Sequence, residues 1–212
     1  DSKTGKWRSF LSTFENVQNS KNHIFTTLCE VSPGIIWAGG YFSGLYQIDK
    51  RTSKTTYFTP ASYAHESIRP DKYIRDIRKD SRGYVWSGGY YNLKRINVQT
   101  KDIRLYHGLH SVTAIIEKDD KSMWIGTATG LFLLDIESGK YERIQLPVES
   151  TYVYSLYQTQ KGALYIGTSG SGVLIYDPQT KLFTHYYTGN CAMISNNIYT
   201  ILSDEDNEIL LS

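Results

Sequence analysis

The sequence has few of the residues that mark a disulfide framework, a zinc site or a membrane span. Its 212 residues include two cysteines, Cys29 and Cys191, two methionines and five prolines. Two cysteines supply neither a disulfide framework nor a zinc site, so we interpret them as unpaired thiols. One charge-free stretch, residues 162–176, is rich in glycine and serine and has a strand–turn–strand pattern rather than that of a membrane segment.

The sequence also lacks a large excess of charge of one sign and the apolar periodicity of a long helix. The formal net charge is +2 with both signs mixed along the chain, so there is no basic stripe for nucleic acid and no acidic tail. No stretch has the 3.6-residue apolar period of a long helix. We therefore expect an all-β chain without a nucleic-acid partner. No signal peptide is present, which says nothing about what precedes residue 1.

What the sequence does contain is one short phrase written four times, with a fifth copy cut off. The copies read IWAGG at 36–40, VWSGG at 85–89, MWIGT at 123–127 and LYIGT at 164–168, and the chain stops at ILLS, 209–212. Their anchors are Trp37, Trp86, Trp124, Tyr165 and Leu210, at spacings of 49, 38, 41 and 45 residues. A period near 40 residues that carries only strand signals is typical of a β-propeller blade.

Each copy carries four strand signals. Two apolar residues three positions apart precede the anchor in every copy, and they mark a first strand: Phe25/Leu28, Ile74/Ile77, Val112/Ile115, Val153/Leu156 and Ile198/Ile201. A second phrase follows the anchor at residues 44–49, 92–97, 130–135 and 172–177. It begins with Gly or Asn, which tolerate the positive φ of a tight hairpin, and ends with Asp or Asn, which open a turn.

Nine residues past that turn residue lies a column that is apolar in every copy, and it predicts an outer strand packed on the next blade. Its members are Phe10, Phe58, Tyr106, Ile144 and Tyr186. The sequence thus predicts a partial β-propeller of four-stranded antiparallel blades over residues 1–212, with no second domain. We count four full blades, an outer strand at the start and an inner pair of strands at the end.

The combined pattern, clearest in MWIGTATGL at 123–131, closely resembles the regulator-propeller repeats of bacterial two-component sensors. The resemblance covers the whole chain. In that family the repeats form propellers of about seven blades, followed by a Tyr-rich immunoglobulin-like domain, a membrane helix and a cytoplasmic histidine kinase. Many members are hybrid sensors that detect glycan fragments in the periplasm.

The resemblance implies a role for the chain within a larger protein. We expect a periplasmic sensor segment of a membrane-anchored hybrid two-component system, signalling through a homodimer to a histidine kinase. Its partners would be a glycan fragment, the remaining blades and the downstream sensor domain. For this segment we expect no enzymatic activity and no cofactor. Two alternatives stay open: a scaffold for protein contacts, and a propeller lyase, which predicts a His/Glu or metal cluster at the central funnel.

The first two copies depart from the pattern. They carry Gly-Gly in place of Gly-Thr, and each Gly-Gly is followed by two aromatic residues, Tyr41-Phe42 and Tyr90-Tyr91. Because the two pairs occupy the same hairpin of adjacent blades, we expect them side by side on one face, where exposed rings can stack on sugar rings. The alternative is that the rings only fill the space left by the glycines.

The second blade also has an inserted loop, residues 59–72, before its first strand. Long loops often carry function, and this one offers Tyr63, His65 and Arg69 as ligand contacts. Arg69 suits a carboxylate or sulfate on an acidic sugar. The alternatives are a solvated loop or a contact with another domain.

No residues predict a catalytic or metal site. His107 and His110 span a strand-to-strand turn, which is a poor frame for a metal. Residues 204–208 resemble a calcium loop only superficially, because they lack its glycine and its distal glutamate. Carboxylates and histidines are scattered over turns without a paired acid–base arrangement.

Overall fold

The computed structural model describes residues 24–41, 44–58, 73–204 and 208–212. Within these ranges the chain forms 18 strands and no helix, so the predicted all-β class is confirmed. Several predicted features lie outside the described residues: the outer strand with Phe10, Phe42, and the 59–72 loop with Tyr63, His65 and Arg69.

Among the described residues, consecutive strands pair in sequence order into four four-stranded antiparallel sheets and one two-stranded sheet. Blade 1 contains β1 (Ile24–Ser32), β2 (Ile35–Tyr41), β3 (Gly44–Asp49) and β4 (Lys54–Tyr57). Blade 2 contains β5 (Ile74–Lys79), β6 (Val85–Gly89), β7 (Leu93–Ile96) and β8 (Ile103–Tyr106).

The remaining strands repeat the same order. Blade 3 contains β9 (Val112–Asp119), β10 (Ser122–Thr127), β11 (Gly130–Asp135) and β12 (Tyr141–Ile144). Blade 4 contains β13 (Val153–Gln158), β14 (Leu164–Thr168), β15 (Val173–Tyr176) and β16 (Phe183–Tyr186). The last pair is β17 (Ile201–Ser203) and β18 (Ile209–Leu211), which gives the predicted four full blades and inner pair.

Adjacent blades are packed through the anchor strand of one and the first strand of the next. A Cβ added to Gly88 of β6 would lie 2.4 Å from Val112 Cγ1 of β9. At Gly126 of β10 the added atom would lie 2.7 Å from Val153 Cγ1 of β13. The glycine two residues after the anchor therefore makes room for the first apolar residue of the next blade, which couples the two repeated motifs physically.

The tryptophan anchors are buried against aromatic side chains. Trp37 packs on Phe58 with ring centroids 4.7 Å apart, and Trp86 packs on Tyr106 at 5.2 Å. The Tyr106 hydroxyl also donates to the Ile136 carbonyl of blade 3 at 3.0 Å. The prediction that the outer column packs on the next blade is confirmed for Tyr106. Tyr186 of the same column is exposed.

The turn after the second phrase is built as predicted. In blade 1 Asp49 Oδ1 accepts from the Arg51 backbone N–H at 2.8 Å, and in blade 4 Asp177 Oδ1 accepts from that of Gln179 at 2.8 Å. Asn97 of blade 2 does the same for Gln99 at 2.9 Å. Each side chain mimics a backbone acceptor and closes the turn locally.

The hairpin between the second and third strands differs between blades. Gly44, Gly130 and Gly172 have φ of 69°, 148° and 76°, as the sequence predicts. Asn92 does not have the positive φ expected of it. Loop length does not account for the difference, because residues 169–172 separate β14 from β15 and Gly172 keeps a positive φ there. Residue type does account for it: the three positive values belong to glycines, which adopt this conformation without steric cost, and the exception is an asparagine.

Candidate functional site

The second-to-third-strand hairpins and the entries into the first strands lie at the same end of the blades, which we call the hairpin end. Tyr41, at the end of β2, forms an isolated antiparallel bridge with Tyr73, which precedes β5. The Tyr90 N–H donates to the Tyr73 carbonyl at 3.2 Å, and the Ser111 N–H donates to the Tyr90 carbonyl at 3.0 Å. These backbone bonds link the hairpins of blades 1 and 2 through the chain that enters the next blade.

Four tyrosines follow one another across this end, and we call Tyr41, Tyr73, Tyr90 and Tyr91 the tyrosine row. The ring centroids of Tyr41 and Tyr73 are 6.0 Å apart, those of Tyr73 and Tyr90 6.2 Å, and those of Tyr90 and Tyr91 4.9 Å. Tyr90 and Tyr91 are 54% and 50% exposed. The predicted Tyr41 and Tyr90 are therefore joined by Tyr73, which the sequence pattern does not single out.

The space beside the Gly-Gly pair of blade 1 is filled by other groups. A Cβ on Gly39 would lie 2.6 Å from Ile74 Cγ2 of blade 2. One on Gly40 would lie 1.8 Å from the Ile24 carbonyl oxygen of β1. Since an isoleucine and a neighbouring strand occupy this space in blade 1, the Tyr41 ring is not what fills it.

In blades 3 and 4 a threonine closes the hairpin instead of an aromatic pair. Thr127 Oγ1 donates to the Gly130 carbonyl at 3.0 Å and accepts from the Thr129 N–H at 3.0 Å. Thr168 Oγ1 donates to the Gly172 carbonyl at 2.8 Å. Both threonines are buried, so these two hairpins present short side chains at the hairpin end.

His110 supports the tyrosine row through a hydrogen bond to the backbone of Tyr91. Its Nδ1 donates to the Tyr91 carbonyl at 2.6 Å, which holds the β6–β7 hairpin against the chain entering blade 3.

Across the described parts of the chain, no group of three or more His, Cys, Asp or Glu side chains is placed to hold a metal ion. None of the described residues belongs to a helix long and apolar enough to cross a membrane.

The sequence analysis missed a column of side chains that lies in the first strand of each of blades 1–4 and, in the last pair, just before β17. It is the residue after the first apolar position of the repeated pair: Thr26, Arg75, Thr113, Tyr154 and Tyr199. The signal is visible in the repeat, because this column is neither apolar nor constant, but only the structure shows where it lies. None of the five is a His or a Glu.

Arg75 of this column donates to the Tyr152 hydroxyl, joining blade 2 to blade 4. Blade 3 stands between these blades in the array, so the contact passes in front of β9, on the inner side that faces the propeller axis. The Tyr154 and Tyr199 rings meet on the same side, with centroids 4.7 Å apart. We call Arg75, Tyr152, Tyr154 and Tyr199 the axial cluster.

Next to Arg75, Asp76 is buried and points into the interface with blade 3. Its Oδ2 accepts from the Ile115 N–H at 2.7 Å and from Arg78 Nε at 3.3 Å. Burial raises the pKa of the Asp76 carboxyl, and the Arg78 guanidinium and the backbone N–H offset only part of that rise. The Asp76 carboxylate is therefore part of the interface between blades 2 and 3 and is not the counter-ion of Arg75.

At the opposite end of the blades, the turn end, a cleft of about 440 Å³ lies between blades 1 and 2. Its lining includes Val31, Lys79, Arg82, Tyr84 and Asn97. The cleft is lined by two cations, Lys79 and Arg82, and by a polar turn, whereas the hairpin end is aromatic.

Residues 147–170, which span β13 and β14, match the family model described as two component regulator propeller. They include the anchor Tyr165 and the Gly-Thr pair of blade 4. Among curated protein sequences, none matches the chain.

Solved structures share the fold of the chain. The extracellular domain of BT4673 from B. thetaiotaomicron, assigned as a hybrid two component system, matches with a TM-score of 0.75 and 22% identity over 93% of this chain and 27% of that chain. The extracellular domain of BT3049 from the same organism, assigned likewise, matches with a TM-score of 0.75 and 20% identity over 92% and 26%. Virginiamycin B lyase from Staphylococcus aureus matches with a TM-score of 0.71 and 14% identity over 88% and 62%.

At these identities the likeness shows the fold alone, and the chain spans about a quarter of the length of the two extracellular-domain chains it matches. The family match and the repeated blade geometry agree with each other. The predicted resemblance is confirmed: the chain is an array of β-propeller blades in which residues 147–170 match the two component regulator propeller.

Proposed function

We propose that this chain is part of the extracellular sensor module of a hybrid two-component system and that its hairpin end binds a carbohydrate fragment. The family match at residues 147–170 and the fold shared with two such extracellular domains support the sensor role. The observation that carries the ligand class is the tyrosine row, whose rings form a continuous aromatic strip across blades 1 and 2.

Exposed tyrosines suit a carbohydrate because each ring offers a flat apolar face and a polar hydroxyl. A sugar ring presents C–H groups on one face and hydroxyls at its edge, which matches that combination. The exposed Tyr90 and Tyr91 rings are close to perpendicular, with an interplanar angle of 82°, so they present two differently oriented faces to a ligand.

Signalling would extend beyond this chain. A ligand changes an equilibrium between two arrangements only if it binds one of them better. The bound fragment would favour one arrangement of a homodimer in the periplasm and thereby alter the activity of an attached histidine kinase. A parent reading frame without a membrane span and a kinase after the blades would contradict this signalling role while leaving the ligand proposal intact.

The test is calorimetry with a panel of glycan fragments on the full protein domain that contains these blades. We expect one class of fragment to bind, and we expect Tyr90→Ala to weaken it about tenfold, since a lost aromatic contact is worth about 1.5 kcal/mol. Tyr41→Ala should act in the same direction.

Tyr141→Ala is the matched control, because Tyr141 is also an exposed tyrosine but lies on the outer strand β12. It should leave the affinity unchanged. Full affinity in both Tyr41→Ala and Tyr90→Ala would remove the tyrosine row as the site. A panel without any binder would favour the scaffold alternative, and turnover of a fragment would favour the lyase alternative.

A further inference from the structure

Arg75 carries a positive charge that no described carboxylate neutralises. Arg51, Arg78 and Arg95 each lie within 4.0 Å of an aspartate oxygen, at 3.9, 3.3 and 3.5 Å respectively. Arg75 is partly buried, and its contact within the described residues is the neutral Tyr152 hydroxyl. A guanidinium that is partly withdrawn from water and has no counter-ion favours the binding of an anion.

The neighbouring aspartate is unable to serve as that counter-ion. Asp76 follows Arg75 directly in β5, but its carboxylate accepts hydrogen bonds from Arg78 and from the Ile115 backbone. Arg75 lies at an irregularity in the β5–β6 register, between Ile74 and Asp76, where the regular alternation of side chains is interrupted. From there Asp76 reaches blade 3, whereas Arg75 reaches Tyr152 of blade 4.

Tyr152 adds a second donor to the same place. A phenol can donate one hydrogen bond and accept others, and Tyr152 accepts from Arg75 Nη1. Its own O–H is therefore directed elsewhere and can donate to a third group. A guanidinium and a phenol O–H side by side are complementary to a carboxylate or a sulfate.

Aromatic rings continue from this pair of donors toward the last blade. The centroids of Tyr152 and Tyr154 are 4.7 Å apart, and those of Tyr154 and Tyr199 are also 4.7 Å apart. Tyr199 is 59% exposed. The axial cluster thus combines a cationic end with a three-ring strip, whereas the tyrosine row has rings alone.

We propose that the axial cluster is an anion subsite, in which Arg75 and Tyr152 bind the carboxylate or sulfate of an acidic sugar while Tyr154 and Tyr199 contact the adjoining sugar rings. This inference rests on the proposed carbohydrate-binding function and deepens it by naming the charge of the ligand. It also assigns recognition of the ligand's negative charge to Arg75 rather than to the 59–72 loop.

The experiment compares matched fragments by calorimetry on the same protein domain: a uronate-terminated oligosaccharide, its neutral counterpart with a hydroxymethyl group, and a sulfated counterpart. The wild type should prefer the acidic fragments. Arg75→Gln should weaken them roughly 10- to 100-fold, the range expected for hydrogen bonds to a charged group, and should leave the neutral fragment unchanged. The uronate and sulfate arms distinguish the two anionic groups.

Two further variants keep the test independent of folding. Tyr152→Phe retains the ring and removes the hydroxyl, so it should weaken only the acidic fragments, by less than Arg75→Gln does. Arg82→Gln removes a cation from the turn end and should leave all three affinities unchanged. Equal binding of acidic and neutral fragments that Arg75→Gln does not alter would overturn the anion subsite and leave the proposed function standing. Failure of every fragment to bind would overturn both.

Discussion

Blades 2 and 3 have the same strand plan and differ at both ends. Both place a buried tryptophan on the second strand and a glycine two residues later, against the next blade. At the hairpin end, blade 2 exposes Tyr90 and Tyr91, whereas blade 3 buries Thr127. The strand pattern determines the scaffold, and the residues at the blade ends vary without altering it. The blade ends are therefore the positions at which ligand contacts can differ between blades.

The partner of the tryptophan N–H differs as well. In blade 2 Trp86 Nε1 donates to Asp80 Oδ2 at 2.9 Å, and Arg95 Nε lies 3.5 Å from the same oxygen. In blade 3 Trp124 Nε1 donates to Gln158 Oε1 of blade 4 at 3.1 Å. Blade 2 therefore holds its anchor with a buried ion pair of its own, and blade 3 with a neutral side chain of its neighbour.

The largest expected difference between these blades concerns that partner. Asp80→Ala should lower the free energy of unfolding by about 3–5 kcal/mol, because it leaves the buried Arg95 charge without its counter-ion. Gln158→Ala should cost about 1–3 kcal/mol, since it leaves the Trp124 indole N–H without its acceptor and removes the hydrogen bond from Gln158 Nε2 to the Lys118 carbonyl, but leaves no buried charge unpaired. Urea denaturation of both variants measures the comparison. Equal losses would show that the ion pair adds nothing to the anchor of blade 2.

A smaller difference is expected at the hairpins. Thr127→Ala removes a buried hydroxyl that makes three hydrogen bonds within its hairpin, so it should cost about 1–2 kcal/mol of unfolding free energy. Tyr90→Ala changes an exposed ring and should stay within about 0.5 kcal/mol of the wild type. A Tyr90→Ala variant as unstable as Thr127→Ala would mean that the ring is structural rather than available to a ligand.

The smallest effect is on the pH dependence of stability, and its sign differs between the blades. Although partial burial raises it, hydrogen bonds from Ser122 and Lys118 lower the pKa of Asp119 in blade 3 from 3.8 to about 2. Asp119 therefore stabilises the fold above pH 3.8, and that contribution is lost as the pH falls toward 2. Asp119→Asn should make the acid loss of unfolding free energy shallower over this range.

Asp76 in blade 2 should behave in the opposite way. Since burial raises its pKa in the folded state, its contribution to stability is present below its unfolded pKa of 3.8 and is lost as the pH rises through its folded pKa. Asp76→Asn should remove that loss while leaving the Asp119 effect in place. Unfolding free energies from pH 2 to pH 6 for the two variants separate the contributions, and parallel curves would contradict the assignment.

The repeat made most of the scaffold predictable. Strand count, the anchor strand and the turn-opening Asp49, Asn97 and Asp177 follow from local pattern, because they depend on residues close in sequence. Asn92 shows the limit of that reasoning. Asparagine tolerates positive φ, but only the glycines at this position of the hairpin adopt it.

The candidate site was predictable only in part. Tyr41, Tyr90 and Tyr91 stand out because they interrupt a repeat. Tyr73 and the axial cluster do not, because their columns differ in residue type between copies and that variation alone does not show which side chains meet. Arg75 and Tyr152 are 77 residues apart, so a local sequence pattern does not relate them to each other.

The sequence by itself determined that the chain forms four-stranded blades with a glycine two residues after each of the first four anchors, since alternation and turn residues act over a few residues and the repeat period marks each blade. Only the tertiary structure decided which side chains meet. The blades bend around an axis, so the first strand of blade 2 faces that of blade 4 across the inner side. That curvature brings Arg75 to Tyr152 and joins Tyr41 to Tyr90 through Tyr73.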